Sequence, residues 1–277
     1  MKFTKMQGIG NDYIYINCFE EKIENPSELS IKLSERHFGI GSDGIILIEP
    51  SEKADCRMDI YNADGSQAMM CGNGIRCVGK YLYERDIAKK DVLKIDTMSG
   101  VKTLFLDVLD GKVNSVTVDM GKPVFSAADI PVKFSKNEIV DEPIMVDGKE
   151  YRITCVSMGN PHCVMFVDDV DQVAIETLGP KFECNELFPK RANIEFVHVL
   201  NQQEVKMRVW ERGSGETWAC GTGACAVAVA CAVNEKTGRS TTVHLKGGDL
   251  HIDWDEKTSS VFMRGPAEFV FDGTIEI

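Results

Sequence analysis

The chain repeats itself at a fixed offset of 149 positions, the separation of Cys71 and Cys220. Trp210-Glu-Arg-Gly-Ser-Gly-Glu-Thr-Trp-Ala-Cys220-Gly-Thr-Gly223 falls without a gap on Tyr61-Asn-Ala-Asp-Gly-Ser-Gln-Ala-Met-Met-Cys71-Gly-Asn-Gly74. At the same shift Gly10-Asn11 meets Gly159-Asn160, Ile45 to Ile48 meet Ile194 to Val197, and Asp59-Ile60-Tyr61 meets Arg208-Val209-Trp210. Two copies are too few for a solenoid, whose units bury their faces only by stacking. The repeat therefore predicts a duplicated domain. Each copy reads as several strands with one apolar helix after its Cys-Gly-x-Gly segment, a curled sheet around a helix.

The 277 residues suffice for two domains of ordinary size. A net charge of -12 lacks the basic face that phosphates require and would be repelled by an anionic bilayer. No apolar run approaches a spanning helix, and the first residues lack a signal-peptide core. Ten cysteines spread over a core-sized chain, several inside apolar runs, fit a reducing cytoplasm better than a disulfide framework.

Alternation at Tyr13-Ile-Tyr-Ile predicts a strand. Asn25-Pro26 with Glu28 predicts a helix start, the helix running to about His37 and ending at Gly39. Gly39-Ile-Gly-Ser-Asp-Gly44 matches the spacing of a dinucleotide fingerprint, but it follows a helix and precedes a strand. That order is the reverse of what places a pyrophosphate at a helix N-terminus, so the nucleotide reading is rejected. Helices are expected at about 74–84, 171–179 and from Ala224 to Val233, and Asp110-Gly111 and Asp147-Gly148 are expected hairpin turns. The last helix is small and apolar on every side, which predicts that other structure surrounds it. A domain junction is expected near Gly121-Lys-Pro123, giving domains 1–119 plus 266–277 and 120–265.

A single cysteine is more often packing than chemistry, and Cys77, Cys225 and Cys231 fit that reading. Duplication sets Cys71 and Cys220 apart. A thiol at a helix N-terminus feels the positive end of the dipole, which should favour thiolate and lower its pKa. The leading N–H groups of Gly72 and Asn73, and of Gly221 and Thr222, are suited to a carboxylate. A carboxylate held there, with a thiol on each face of the adjoining carbon, has what inversion of a stereocentre needs. The cysteine spacings lack the short ligand pairs of a zinc site, and no Cys-x-x-Cys motif is present. No metal and no cofactor are expected.

Met70-Cys-Gly-Asn-Gly-Ile-Arg-Cys77, Gly8-Ile-Gly-Asn-Asp12, Met158-Gly-Asn-Pro-His162 and Glu211-Arg-Gly-Ser-Gly-Glu-Thr-Trp-Ala-Cys-Gly-Thr-Gly-Ala224 resemble the diaminopimelate epimerase family over essentially the whole chain. The resemblance implies an α+β fold of two pseudo-symmetric domains, each a mostly antiparallel strand barrel around a central helix. It implies a cytoplasmic enzyme that interconverts L,L- and meso-diaminopimelate, on the route to lysine and peptidoglycan, without pyridoxal phosphate or metal. By that resemblance Cys71 and Cys220 are the acid and base. Asn11, Asn62, Gly72, Asn73, Asn160, Asn193, Glu211, Arg212, Gly221 and Thr222 are substrate contacts, and His162 and Glu211 tune the thiols. The partner implied is the small-molecule substrate, with no nucleic acid or membrane, and a homodimer is left open.

One departure is visible: some relatives carry Gln where this chain has Gly44. At the repeat offset Gly44 is the counterpart of Asn193, Asn62 of Glu211, and Ala63 of Arg212. The thiols obey the repeat while these polar positions break it. The asymmetric set is therefore expected to read the distal end of the substrate, with Arg212 pairing its carboxylate. Three alternatives stand beside this reading: a proline racemase-like or phenazine isomerase-like enzyme of the same fold, a non-catalytic binding protein, and a thiol-redox protein. The first should lack Asn193 and Glu211-Arg212, the second would be expected to lose a cysteine, and the third would cycle through a disulfide.

Overall fold

The computed structural model describes residues 1–276. The chain divides into two compact units, one of Met1–Asp119 with the C-terminal segment from Arg264, the other of Met120–Met263. The first contains β1 (Lys2–Gly8), β2 (Asn11–Asn17), α1 (Pro26–Ser34), β3 (Gly44–Glu49), β4 (Cys56–Asn62), β5 (Gln67–Ala68), α2 (Gly72–Glu84), β6 (Val92–Thr97), β7 (Gly100–Leu109) and the start of β8 (Lys112–Gly121). The second contains β9 (Glu142–Val146), β10 (Lys149–Ser157), β11 (Pro161–Phe166), a 3-10 turn at Val170–Gln172 and α3 (Ile175–Glu183). It continues with β12 (Asn193–Val199), β13 (Glu204–Glu211), β14 (Gly215–Thr217), α4 (Gly221–Val233), β15 (Ser240–Leu245), β16 (Gly248–Trp254) and the start of β17 (Val261–Gly265). The last strand, β18 (Glu268–Thr274), pairs antiparallel with β1 in the first unit.

The repeat in the sequence is a repeat in topology. α1 and α3 stand at the 149-residue offset end for end, and so do α2 and α4. Pairing follows suit. β2–β3 and β4–β6 are parallel in the first unit, and β11–β12 and β13–β15 are parallel in the second. The hairpins β1–β2, β3–β4 and β6–β7 are antiparallel, as are β10–β11, β12–β13 and β15–β16. Each unit is thus a mostly antiparallel barrel of strands around a central helix.

Burial explains why those helices sit at the centre. α2 is buried from Gly72 through Tyr83, and α4 from Gly223 through Cys231. Small residues let strands close on them. A Cβ at Gly74 would come within 2.7 Å of Ile46, and one at Gly79 within 2.8 Å of Leu104. α2 carries two buried cations, and both hydrogen-bond to backbone carbonyls. Lys80 Nζ donates to the Val113 carbonyl and pairs with Glu84 at 2.9 Å. Arg76 donates to Gly72 O, Asn73 Oδ1 and Pro266 O. From Ala224 onward α4 solves the same burial with Ala, Val and Cys alone.

Both expected Asp-Gly turns form, with left-handed φ at both residues, and join β7 to β8 and β9 to β10. Two helices differ from expectation. α1 ends at Ser34 rather than His37, because Glu35 turns to extended backbone and its carboxylate accepts from the N–H groups of His37 and Phe38. The expected helix at 171–179 is split: the 3-10 turn comes first, and α3 begins at Ile175 and runs through Gly179-Pro180 to Glu183. Gly179 lies flat on Trp210, where an added Cβ would meet the indole at 2.4 Å. Tertiary packing there outweighs the helix-breaking tendency of Gly and Pro.

Candidate active site

In the first unit, β4 leads through a tight hairpin to β5 and then to Cys71, the N-cap of α2. The half-buried Cys71 thiol has a partner for each protonation state. It donates to Asn11 Oδ1 at 3.2 Å, and Gly74 N donates to Sγ at 3.3 Å. Asn11 opens β2 just after Ile9 and Gly10, both at positive φ. Its Nδ2 donates to Asp43 Oδ2 over 2.8 Å, and the same oxygen accepts from Asp12 N at 3.1 Å. Burial pushes the Asp43 carboxyl up, against the hydrogen bonds of Asp12 and Asn11 and the charge of Arg36, 3.2 Å away. Lys5 forms an ion pair with Asp12 beneath this loop. Asn73 turns its Oδ1 toward Arg76 Nη1 at 2.9 Å, so what it presents at the helix start is backbone. Asn62 lies in the hairpin, bonded to Ser66 Oγ at 3.0 Å.

In the second unit, Cys220 caps α4 with extended backbone like that of Cys71, but is only 5% exposed. Three groups surround it. Glu211, at the end of β13, accepts from the Thr217 hydroxyl, and its charge acts on the Cys220 thiol. Thr222 Oγ1 is 3.7 Å from Sγ. Across Gly223 stands Glu195: a Cβ at Gly223 would lie 3.0 Å from Glu195 Oε1 and 3.1 Å from Cys220 Sγ. A line of contacts then runs outward. Asn160 Nδ2 donates to Thr222 Oγ1 at 3.2 Å, Asn160 Oδ1 lies 3.0 Å from His162 Nε2, and His162 Nδ1 lies 2.6 Å from Glu195 Oε1. Asn193 and Arg212 form a separate cluster. Asn193 Nδ2 donates to Pro161 O and Oδ1 accepts from Arg212 N, each at 3.0 Å, while Arg212 Nη1 donates to Lys190 O.

The sequence-predicted residues thus form local groups. Asn11, Cys71, Gly72 and Asn73 adjoin in the first unit, with Asn62 on the hairpin before them. Asn160, His162, Glu211, Cys220, Gly221 and Thr222 adjoin in the second, with Asn193 tied to Arg212.

One expectation is corrected. The helix dipole was expected to lower the thiol pKa, yet Cys220 is pushed well up. Burial is the main cause, followed by the charges of Glu211 and Glu195, and these outweigh the dipole. Cys220 therefore rests as a thiol. Gly44 is more than a missing contact: a Cβ there would stand 2.1 Å from the Tyr61 carbonyl oxygen. The backbone admits no side chain at that position.

Asp43 and Glu195 escaped the sequence reading. Glu195 had a signal, an acid inside the apolar strand Ile194-Glu-Phe-Val. Asp43 sat within the loop tested as a nucleotide fingerprint, and nothing in the sequence linked it to Asn11.

Solved structures share the fold. A probable proline racemase from Agrobacterium radiobacter superposes with a TM-score of 0.72 over 100% of this chain and 93% of its own, at 13% identity. A phenazine biosynthesis protein of the PhzF family from Bacillus anthracis also gives 0.72, over 100% and 99%, at 17% identity. Identities this low establish a shared fold, that of two-unit barrels with a helix in each.

Sequence comparison narrows the class. The diaminopimelate epimerase family pattern matches residues 3–126 and 154–270. The diaminopimelate epimerase of Acetivibrio thermocellus is 56% identical over 100% of this chain and 99% of its own length. That of Agathobacter rectalis is 55% identical, with both chains fully covered. The chain belongs to the diaminopimelate epimerase family, a family of isomerases.

Proposed function

We propose that the chain interconverts L,L- and meso-diaminopimelate by a two-base, cofactor-independent route, with Cys71 and Cys220 as the proton carriers. The observation that carries this reading is the duplicated thiol. Two helices at equivalent places in the two repeats each begin at a cysteine, and each presents its leading N–H groups beside it. One thiolate takes the α-proton and the other thiol delivers a proton to the opposite face. The helix N-termini favour the substrate carboxylate and the negative charge that develops as the carbon becomes planar.

The surroundings suit each thiol to both of its states. For Cys71, Asn11 Oδ1 accepts from the thiol while Gly74 N donates to the thiolate. For Cys220, the proton has an acceptor in Glu211, whose own carboxyl is pushed up by burial. Glu211 thus takes the thiol proton before Cys220 acts as base and passes it to solvent, while the Cys220 thiolate receives the α-proton. We assign Asn11, Asn160, Gly72, Asn73, Gly221 and Thr222 to the reacting end of the substrate, and Asn62, Asn193, Glu211 and Arg212 to its distal end. His162 and Glu211 tune the thiols. The two epimerase domains are assigned to 1–119 plus 266–277 and 120–265, and the enzyme to the cytoplasmic route to lysine and peptidoglycan.

Single variants test the assignment. Cys71→Ala and Cys220→Ala should each abolish epimerisation in both directions. Near-normal turnover in either would remove that thiol from the mechanism.

A further inference from the structure

Glu195 is fully buried on β12 between Ile194 and Phe196. Its Oε1 meets His162 Nδ1, and its Oε2 has no hydrogen-bond partner among the described residues. Such a carboxylate is costly to bury. The fold does not require it: the counterpart of Glu195 in the first repeat is the fully buried Ile46, and that of His162 is Tyr13. The same strand pairs β2–β3 and β11–β12 form with either set.

What differs between the repeats is how an equivalent asparagine is held. In the first unit Asp43 fixes the Asn11 amide directly, and the counterpart of Asp43 in the second is Ala192. We propose that Glu195 is a positioning residue that fixes the Asn160 amide through His162, and thereby the Thr222 hydroxyl beside Cys220. The inference rests on the two-thiol reading for its kinetic consequence, not for its geometry.

The chain of hydrogen bonds has a definite polarity. As a carboxylate, Glu195 accepts from Nδ1–H. With Asn160 Nδ2 donating to Thr222, its Oδ1 faces His162 Nε2, so Nε2 must also carry a proton. A ring with a bare Nε2 would force the amide over, and Thr222 would then donate to Asn160 instead. The proton count of His162 and the direction of the Thr222 hydroxyl are therefore one variable, and the Glu195 carboxylate sets it. The other titratable groups facing this pair are Glu211 on β13, Cys220 at the start of α4 and Cys163 on β11.

Nitrogen-15 spectra of His162 in the full-length enzyme at pH 7, wild type and Glu195→Gln, test this, together with kcat and KM for both. The expected result is protons on both ring nitrogens in the wild type and on one in the variant. Along with it, KM should rise and kcat/KM fall by about 10- to 100-fold, the effect of losing a charge-assisted hydrogen bond. Glu195→Asp, which keeps the charge, should recover part of both. A singly protonated His162 in the wild type overturns the proposal without recourse to any variant. Loss of activity with an unchanged His162 spectrum reduces Glu195 to packing, and a changed spectrum with unchanged kinetics removes its positioning role. Failure of the two-thiol reading would show instead in the cysteine variants and leave these spectra as they are.

Discussion

Asp43 Oδ2 holds Asn11 Nδ2 at 2.8 Å and so turns Asn11 Oδ1 toward the Cys71 thiol. An amide held in this sense accepts from a thiol and offers nothing to a thiolate. Replacing Asp43 by Asn frees the amide to turn and removes a nearby negative charge. Both changes favour the Cys71 thiolate, so the sign is unambiguous. Asp43→Asn should speed iodoacetamide alkylation of Cys71 at pH 7 by raising its thiolate fraction. Peptide mapping of the alkylated enzyme reads this directly, and an unchanged rate at Cys71 would contradict it.

The same logic gives Cys220 a pH signature. Its pKa is pushed up by burial first, then by the Glu211 and Glu195 charges. A raised thiol pKa means the thiol persists as pH rises, so Cys220 should be alkylated far more slowly than Cys71 at pH 7 and should catch up only in alkali. Glu211→Gln removes a charge that opposes the thiolate, so Cys220 should alkylate faster at a given pH. Epimerisation should nonetheless fall steeply, because the proton acceptor is gone. Faster alkylation with full activity would separate Glu211 from the chemistry.

Gly223 is the gap between Cys220 and Glu195. Gly223→Ala places a methyl 3.0 Å from one and 3.1 Å from the other, and the thiol must move by a few tenths of an ångström. A loss of about 100-fold in kcat is expected, the scale of a misplaced reacting group. The urea midpoint should change little by comparison. Wild-type kinetics in this variant would mean the position of Sγ is not critical.

Gly44 makes the opposite prediction. Its Cβ would meet the Tyr61 carbonyl at 2.1 Å, a clash with backbone that no rotamer relieves. Gly44→Ala should cost about 2–4 kcal/mol of stability, in the range of strained and overpacked sites. The shift in urea midpoint measures it, and a variant as stable as the wild type would show that β3 and β4 part easily there.

The repeat was legible because its signals are local. The Cys-Gly-x-Gly segments, the Asp-Gly turns and the apolar run after Cys220 each dictate structure from neighbours in the chain. The end of α1 and the course of α3 were not, since a Glu35 side-chain cap and the packing of Gly179 on Trp210 decide them. At the site, the cysteines stood out by duplication and the asparagines and Glu211 by resemblance. Asp43 and Glu195 act through contacts 32 and 33 residues away in sequence, to Asn11 and His162, and no periodicity encodes those. The lowered thiol pKa expected at Cys220 failed for a related reason. A helix start is visible in sequence, whereas two carboxylates brought beside it by β12 and β13 are not.

The central claim is that two different groups carry the departing and arriving protons. Turnover begun from L,L- or meso-diaminopimelate alone in deuterium oxide tests it most directly, by mass analysis of both isomers in the first few per cent of reaction. Two thiols acting from opposite faces should give product carrying deuterium at the inverted carbon, while unreacted substrate keeps its hydrogen. Product that retains the original hydrogen in substantial yield would mean that one group both removes and returns the proton, and would contradict the assignment of Cys71 and Cys220 as a pair.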